Sequence, residues 1–281
     1  CHGDLMVKVR TKRGDEIVLG GLKCTKCQET YNIINGIPRL LPFGERRKLR
    51  KLYKEIEHYY DAYVPIYDIN YHNPEIAYMR RVEDFCILAS RPKGLVLDIG
   101  CGVGRQSLML AAKGCDVIAL DISREMLMEL KRRAETLGLD DKIDVVQASA
   151  DHLPFKDGLF DRAYAIFGAY NHVPSVRRAF RDLYRILRDN GRSLFTILNK
   201  YRLMWWLYIL LRLKKRHIIK TLRSKCGYIT IKVGGEKYRV WTRYFSKEEI
   251  VSLLKEVGFR SVKIGSVLIF LRPKFKYSET T

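Results

Sequence analysis

The stretch Val96-Leu97-Asp98-Ile99-Gly100-Cys101-Gly102-Val103-Gly104 decides the fold class. A short apolar run ends in an acid, and three alternating glycines follow. The pattern reads as a buried parallel strand feeding a tight turn that opens a helix. Missing β-carbons let the backbone pass close to a ligand and adopt conformations that other residues resist. The helix predicted over residues 105–113 points its open N–H groups and positive dipole end at the turn, which favours an anionic group there. A dinucleotide fold requires Gly-x-Gly-x-x-Gly. Counted from Gly100, the last position of that pattern is Arg105, so the fingerprint fails. The spacing is Gly-x-Gly-x-Gly, with Asp98 two residues ahead.

Further strands and helices follow in alternation. Residues 116–121 read as a second strand ending in Asp121, and a carboxylate at a strand's C-terminal end can accept both hydroxyls of a ribose. An amphipathic helix is predicted over residues 124–137 and a third strand over 143–148. A fourth apolar strand runs to Phe167, and the Asn190-Gly191 turn precedes a fifth over 193–198. This βαβ alternation predicts an α/β fold with a doubly wound parallel sheet.

The glycine loop resembles motif I of the class I S-adenosylmethionine (SAM) dependent methyltransferases. The pair Leu153-Pro154-Phe155 and Phe160-Asp161, and the approach from Arg185 to Gly191, resemble the branch that holds the ubiquinone/menaquinone biosynthesis methyltransferases and many small-molecule and RNA methyltransferases. The likeness covers roughly residues 50 to 272. It implies a seven-stranded Rossmann-like sheet with SAM as cofactor. It also implies that Gly100, Cys101 and Gly102 flank the methionine part, that Asp98 braces the loop, that Asp121 holds the ribose, and that Ile122 packs on the adenine. The family usually has Gly-Asp-Ala before the Leu-Pro-Phe stretch. Here Ala148-Ser149-Ala150 stand there, so Ser149 is left to accept the adenine amine without charge assistance, with Asp151 as a substitute. Phe167 is a candidate wall of the methyl site or a plain core aromatic. His172 is a candidate base or a structural loop histidine. Tyr59, Tyr60 and Tyr67 sit where related enzymes carry a Tyr-Asp lid.

The first fifty residues read as a separate unit. Leu22-Lys23-Cys24-Thr25-Lys26-Cys27 is a Cys-x-x-Cys knuckle flanked by strand-like stretches at residues 5–9 and 16–19. With Cys1, Tyr31-Asn32-Ile33 and Gly36-Ile37-Pro38-Arg39-Leu40-Leu41, it resembles the small zinc-ribbon module that accompanies several tRNA and translation-factor methyltransferases. The resemblance implies a structural zinc on Cys1, Cys24 and Cys27. The chain starts at a cysteine, so the fourth ligand is expected upstream of it. The expected division is 1–44 ribbon, 45–94 helical lid and linker, and 95–281 methyltransferase domain, with a basic, aromatic-rich insertion at about 200–243.

Charge is uneven. The net charge is +21. Residues 1–50 carry 11 basic and 5 acidic side chains, and residues 200–281 carry 20 and 5, whereas residues 95–199 carry 15 and 14. Basic ends suit a polyanion, so RNA is the expected partner, with a basic proteome's solvated surface as the plain alternative. Residues 203–213, Leu203-Met204-Trp205-Trp206 through Leu213, are apolar on nearly every side and are followed by Lys214, Lys215 and Arg216. They suit a buried cap over the acceptor or a peripheral membrane contact. No run is long enough to span a bilayer. Seven cysteines in a chain of 281 residues do not form a disulfide framework, and a cytoplasmic setting is expected. The sequence therefore predicts a SAM-dependent methyltransferase acting on RNA or the translation machinery. The rival acceptor is a quinone or other lipid-like molecule at the membrane face, and a SAM-binding module without catalysis is the alternative of another class.

Overall fold

The structure is a computed structural model that describes residues 3–42, 47–69, 74–200 and 226–265. Five parallel strands form its centre: β5 (Leu95–Ile99), β6 (Asp116–Asp121), β7 (Ile143–Gln147), β8 (Phe160–Ala165) and β9 (Leu187–Phe195). Their order is β7-β6-β5-β8-β9. The chain winds outward from β5 in one direction and then from β8 in the other. The crevice beyond the carboxyl ends of β5 and β8 is the switch point where such sheets bind ligands. β5 is a nearly unbroken buried run, as a strand covered on both faces must be.

Helices cover both faces. Helix α3 (Arg105–Ala112) and α4 (Arg124–Leu137) supply Leu110, Leu127, Leu130 and Ala134 to one core, together with Ile87 of α2 (Pro74–Ala89). Helix α5 (Val176–Ile186) and α6 (Lys247–Val257) supply Phe180, Leu183, Ile250 and Leu254 to the other. The predicted bounds of α4 hold: Ser123 caps it by accepting from the Met126 amide, and left-handed Gly138 ends it. Ser246 and Gly258 bound α6 in the same way.

Five strands of the main sheet lie among the described residues. Cys226–Val233 (β10) and Glu236–Arg243 (β11) form a hairpin of their own, its Gly234-Gly235 turn in the left-handed region. Residues 260–265 carry no strand. Finally, Asn190-Gly191 does not precede the fifth strand but lies inside it. Phe160 pairs with Leu187 and Arg162 with Arg192, so the turn bulges out of a longer β9.

The N-terminal unit is an antiparallel sheet, β1 (Leu5–Arg13), β2 (Glu16–Cys24), β3 (Thr30–Ile34) and β4 (Ile37–Pro38), with longer leading strands than predicted. It docks on the edge of the main sheet. Ile37 is buried in the α3–α4 core, and the Leu40 amide donates to the Gln147 carbonyl at the end of β7 at 2.7 Å.

Candidate cofactor and methyl-transfer site

The glycine loop turns as its composition requires. Gly100, Gly102 and Gly104 have φ of 68°, 55° and 90°. A β-carbon on Gly100 would come within 2.6 Å of the Ala169 Cβ. Gly104 precedes α3 and offers no side-chain cap, which leaves the first amides of that helix for a ligand or water. Cys101 is buried between the glycines, and burial pushes its thiol up, so it is a packing residue of the loop rather than a thiolate.

Two buried carboxylates stand beneath the loop. Asp98 accepts the Ser107 hydroxyl at 2.6 Å, which ties the end of β5 to α3. Asp121 accepts the amides of Gly102 and Ser123, each at 2.9 Å. Burial pushes each acid up to about 6, against the hydrogen bonds that oppose the shift. Asp121 therefore fixes the glycine loop from the C-terminal end of β6, and Ile122 follows it directly.

Helix α1 (Arg47–Tyr63) roofs these strand ends. Tyr53, Glu57 and Asp61, spaced four apart, lie on one face of it. The Tyr53 hydroxyl bonds Asp151 at 3.1 Å. Glu57 accepts the side-chain amide of Gln147 at 2.8 Å and forms a two-oxygen pair with Arg39 at 3.1 Å. Asp61 accepts the Ser123 hydroxyl at 2.6 Å. Beyond the helix, the Tyr67 hydroxyl lies over Gly102. Tyr59, Tyr60, Tyr63 and Tyr67 are in edge or stacked contact in series, and Tyr60 meets the His172 ring edge-on at 5.6 Å. The hairpin packs on the outer side of α1 through Ile229, Ile231 and Val240.

The remaining candidates divide. Ser149 donates to Asp151 at 2.6 Å, and Asp151 also accepts the Ser175 amide at 3.0 Å. Both side chains are thus engaged in bracing the loop after β7, and Ala150 is in the core. Phe167 is not a core aromatic: it is 41% exposed, just past β8, with φ of 61°. His172 is bonded through Nδ1 to the Trp241 carbonyl at 3.0 Å, and burial pushes its pKa down. A carbonyl partner makes Nδ1 the donor, so the ring is neutral with the lone pair on Nε2. Sequence reasoning missed Tyr53, Glu57, Asp61 and Gln147. A helix face repeating polar groups every four residues was the available signal for the first three.

In the N-terminal sheet, Cys24 is buried at the knuckle. Its sulfur accepts the backbone N–H of Cys27 first and of Lys26 next, and these bonds hold the thiol below its ordinary range. No group of three metal-ligating side chains occurs among the described residues, and Cys1 lies outside them.

The loop, the two strand-end acids and the switch-point crevice fit SAM, whose sulfonium makes its methyl carbon electrophilic. The Methyltransferase domain family matches residues 96–191. The chain is a class I SAM-dependent methyltransferase. It belongs to the family of the uncharacterized protein MJ1252 of Methanocaldococcus jannaschii, with which it is 36% identical over 208 residues, covering 74% of this chain and 77% of that protein. The ubiquinone/menaquinone biosynthesis C-methyltransferase UbiE of Bartonella tribocorum is 34% identical over 174 residues, and the match spans 59% of this chain and 64% of that enzyme. Among solved structures, PH0226 from Pyrococcus horikoshii superposes with a TM-score of 0.53 at 23% identity, over 71% of this chain and 89% of that one. The DhpI-SAM-HEP complex superposes with 0.54 at 22%, over 74% and 89%, which shows a shared fold.

Proposed function

We propose that this methyltransferase acts on a compact acceptor with an aromatic or lipid-like body, of the quinone kind, held between the glycine loop and the roof. The observation that carries this reading is the continuous aromatic series Tyr59, Tyr60, Tyr63, Tyr67 and His172 above the cofactor loop. Ring faces and edges favour a planar, apolar partner. The quinone methyltransferases among its relatives support it. The enzyme is placed in the cytoplasm; the apolar residues 203–213, expected to form a cap or a peripheral membrane contact, lie outside the described residues. Asp121 holds the ribose, Ile122 backs the adenine, and Gly100, Cys101 and Gly102 line the methionine side. His172 Nε2, beside Tyr60, is suited to an acceptor that must lose a proton.

A second reading, RNA or a translation-machinery component, rests on exposed basic side chains. Lys8, Arg10, Lys12 and Arg13 of β1 and Lys232, Lys237 and Arg239 of the hairpin all face solvent. Incubating the protein with methyl-tritiated SAM and, separately, a lipid extract and total RNA decides between the two. Label in the lipid pool supports the first reading. Label in RNA, with binding that weakens steeply with salt, supports the second. A wild-type protein that binds SAM and labels neither pool refutes both acceptors.

The N-terminal sheet is read as a zinc ribbon. The amide-to-sulfur bonds at Cys24 suit a metal-bound thiolate, with Cys27 and Cys1 as further ligands. The boundaries 1–44, 45–94 and 95–281 stand as the proposed division into ribbon, lid and catalytic domain.

A further inference from the structure

Glu83 is buried on α2, only 1% exposed, and lies outside every role assigned above. A buried carboxylate is costly unless its oxygens are used. One oxygen accepts the Arg105 guanidinium at 3.0 Å, at the first residue of α3. The other accepts the Thr196 hydroxyl at 3.0 Å, just past β9. That hydroxyl oxygen in turn accepts the Phe167 amide at 2.7 Å, and the same amide also reaches the Glu83 carboxylate directly. Phe167 is a bulky residue at φ 61°, followed by Gly168 at 83°. Such a conformation persists only where surrounding structure over-determines it. The segment it begins is the one whose Ala169 abuts Gly100 of the cofactor loop, so residues 167–169 edge the place where a methyl group would leave.

We infer that Glu83 is a positioning residue that, directly and through the Thr196 hydroxyl, sets the backbone of Phe167 and so places the acceptor wall against the glycine loop. Anchoring α2 to α3 needs only the ion pair with Arg105. The second oxygen is spent on a hydroxyl whose other bond fixes the Phe167 backbone. The inference rests on the methyltransferase reading but on neither choice of acceptor.

The test uses the full chain with S-adenosylhomocysteine, the methyl-depleted product, as ligand. Thr196→Val removes both hydroxyl bonds at nearly constant volume, Thr196→Ser restores them, and Glu83→Ala removes the anchor. Amide hydrogen exchange at Phe167 is expected to accelerate at least about tenfold in Thr196→Val and to return to wild type in Thr196→Ser. Affinity for S-adenosylhomocysteine should stay within about twofold, and exchange in β5 and β6 should not move. In the labelled-methyl assay on whichever pool the wild type modifies, acceptor kcat/KM should fall about tenfold in Thr196→Val with the KM for SAM unchanged. Unchanged exchange at Phe167, or equal loosening throughout the sheet, overturns the inference. Should Glu83→Ala not fold, the two Thr196 variants still decide. Wild-type protein without affinity for S-adenosylhomocysteine would instead defeat the cofactor assignment.

Discussion

Asp61 on α1 and Ser123 at the head of α4 are joined by a 2.6 Å hydrogen bond, and the Ser123 amide donates to Asp121. The roof helix is therefore latched, through Ser123, to the strand-end acid Asp121. Anything that draws Asp121 toward a ligand is felt by the latch, and releasing the latch loosens the cap of α4.

Asp121→Ala should weaken SAM binding by about 2–3 kcal/mol, the cost of losing charge-assisted hydrogen bonds to the ligand and to the loop amides. Titration calorimetry checks this. An unchanged affinity would remove Asp121 from the site.

Cofactor affinity should depend on pH. Asp98 and Asp121 are pushed up to about 6 by burial, from an ordinary 3.8. SAM is cationic at sulfur and its ribose hydroxyls need acceptors, so binding favours the ionised acids. Affinity should be level above pH 7 and decline as pH drops through 6, by up to about tenfold per pH unit for each acid that must ionise. The stability of the ligand-free protein should run the other way. The folded state holds these protons more tightly than the unfolded chain, so their contribution falls as pH rises from about 4 to above 6. Calorimetry and thermal melts across pH 4.5–8 test both slopes.

Ser123→Ala removes the oxygen that accepts from Met126 and the hydroxyl that reaches Asp61. It should cost about 1–2 kcal/mol of stability and speed hydrogen exchange in α1. A melting temperature equal to wild type would show that the latch is energetically idle.

Elemental analysis of the full-length protein should give about one zinc per chain, and Cys24→Ser should abolish it. Full-length protein free of metal would leave the ribbon held by its own core.

Much of the site was legible because its signals are local. The glycine spacing fixed the β5–α3 turn, since only glycine takes three left-handed positions in five residues cheaply. The period of the apolar residues gave α4 its span. Asp121 was readable as a strand-end acid. Its second task, receiving the Gly102 amide, was not.

The sequence by itself determined the strand–loop–helix unit, the alternation and hence the cofactor class, because these depend on residues within a turn or two of one another. Only the tertiary structure decided what the carboxylates and hydroxyls do. Asp61 meets Ser123 across 62 positions, and Glu83 meets Thr196 across 113. Ser149 and Asp151, read as adenine contacts, bond one another, and Asp151 also accepts the Tyr53 hydroxyl across 98 positions. A buried polar group must find a partner wherever folding brings one within reach, and sequence spacing carries no record of that distance.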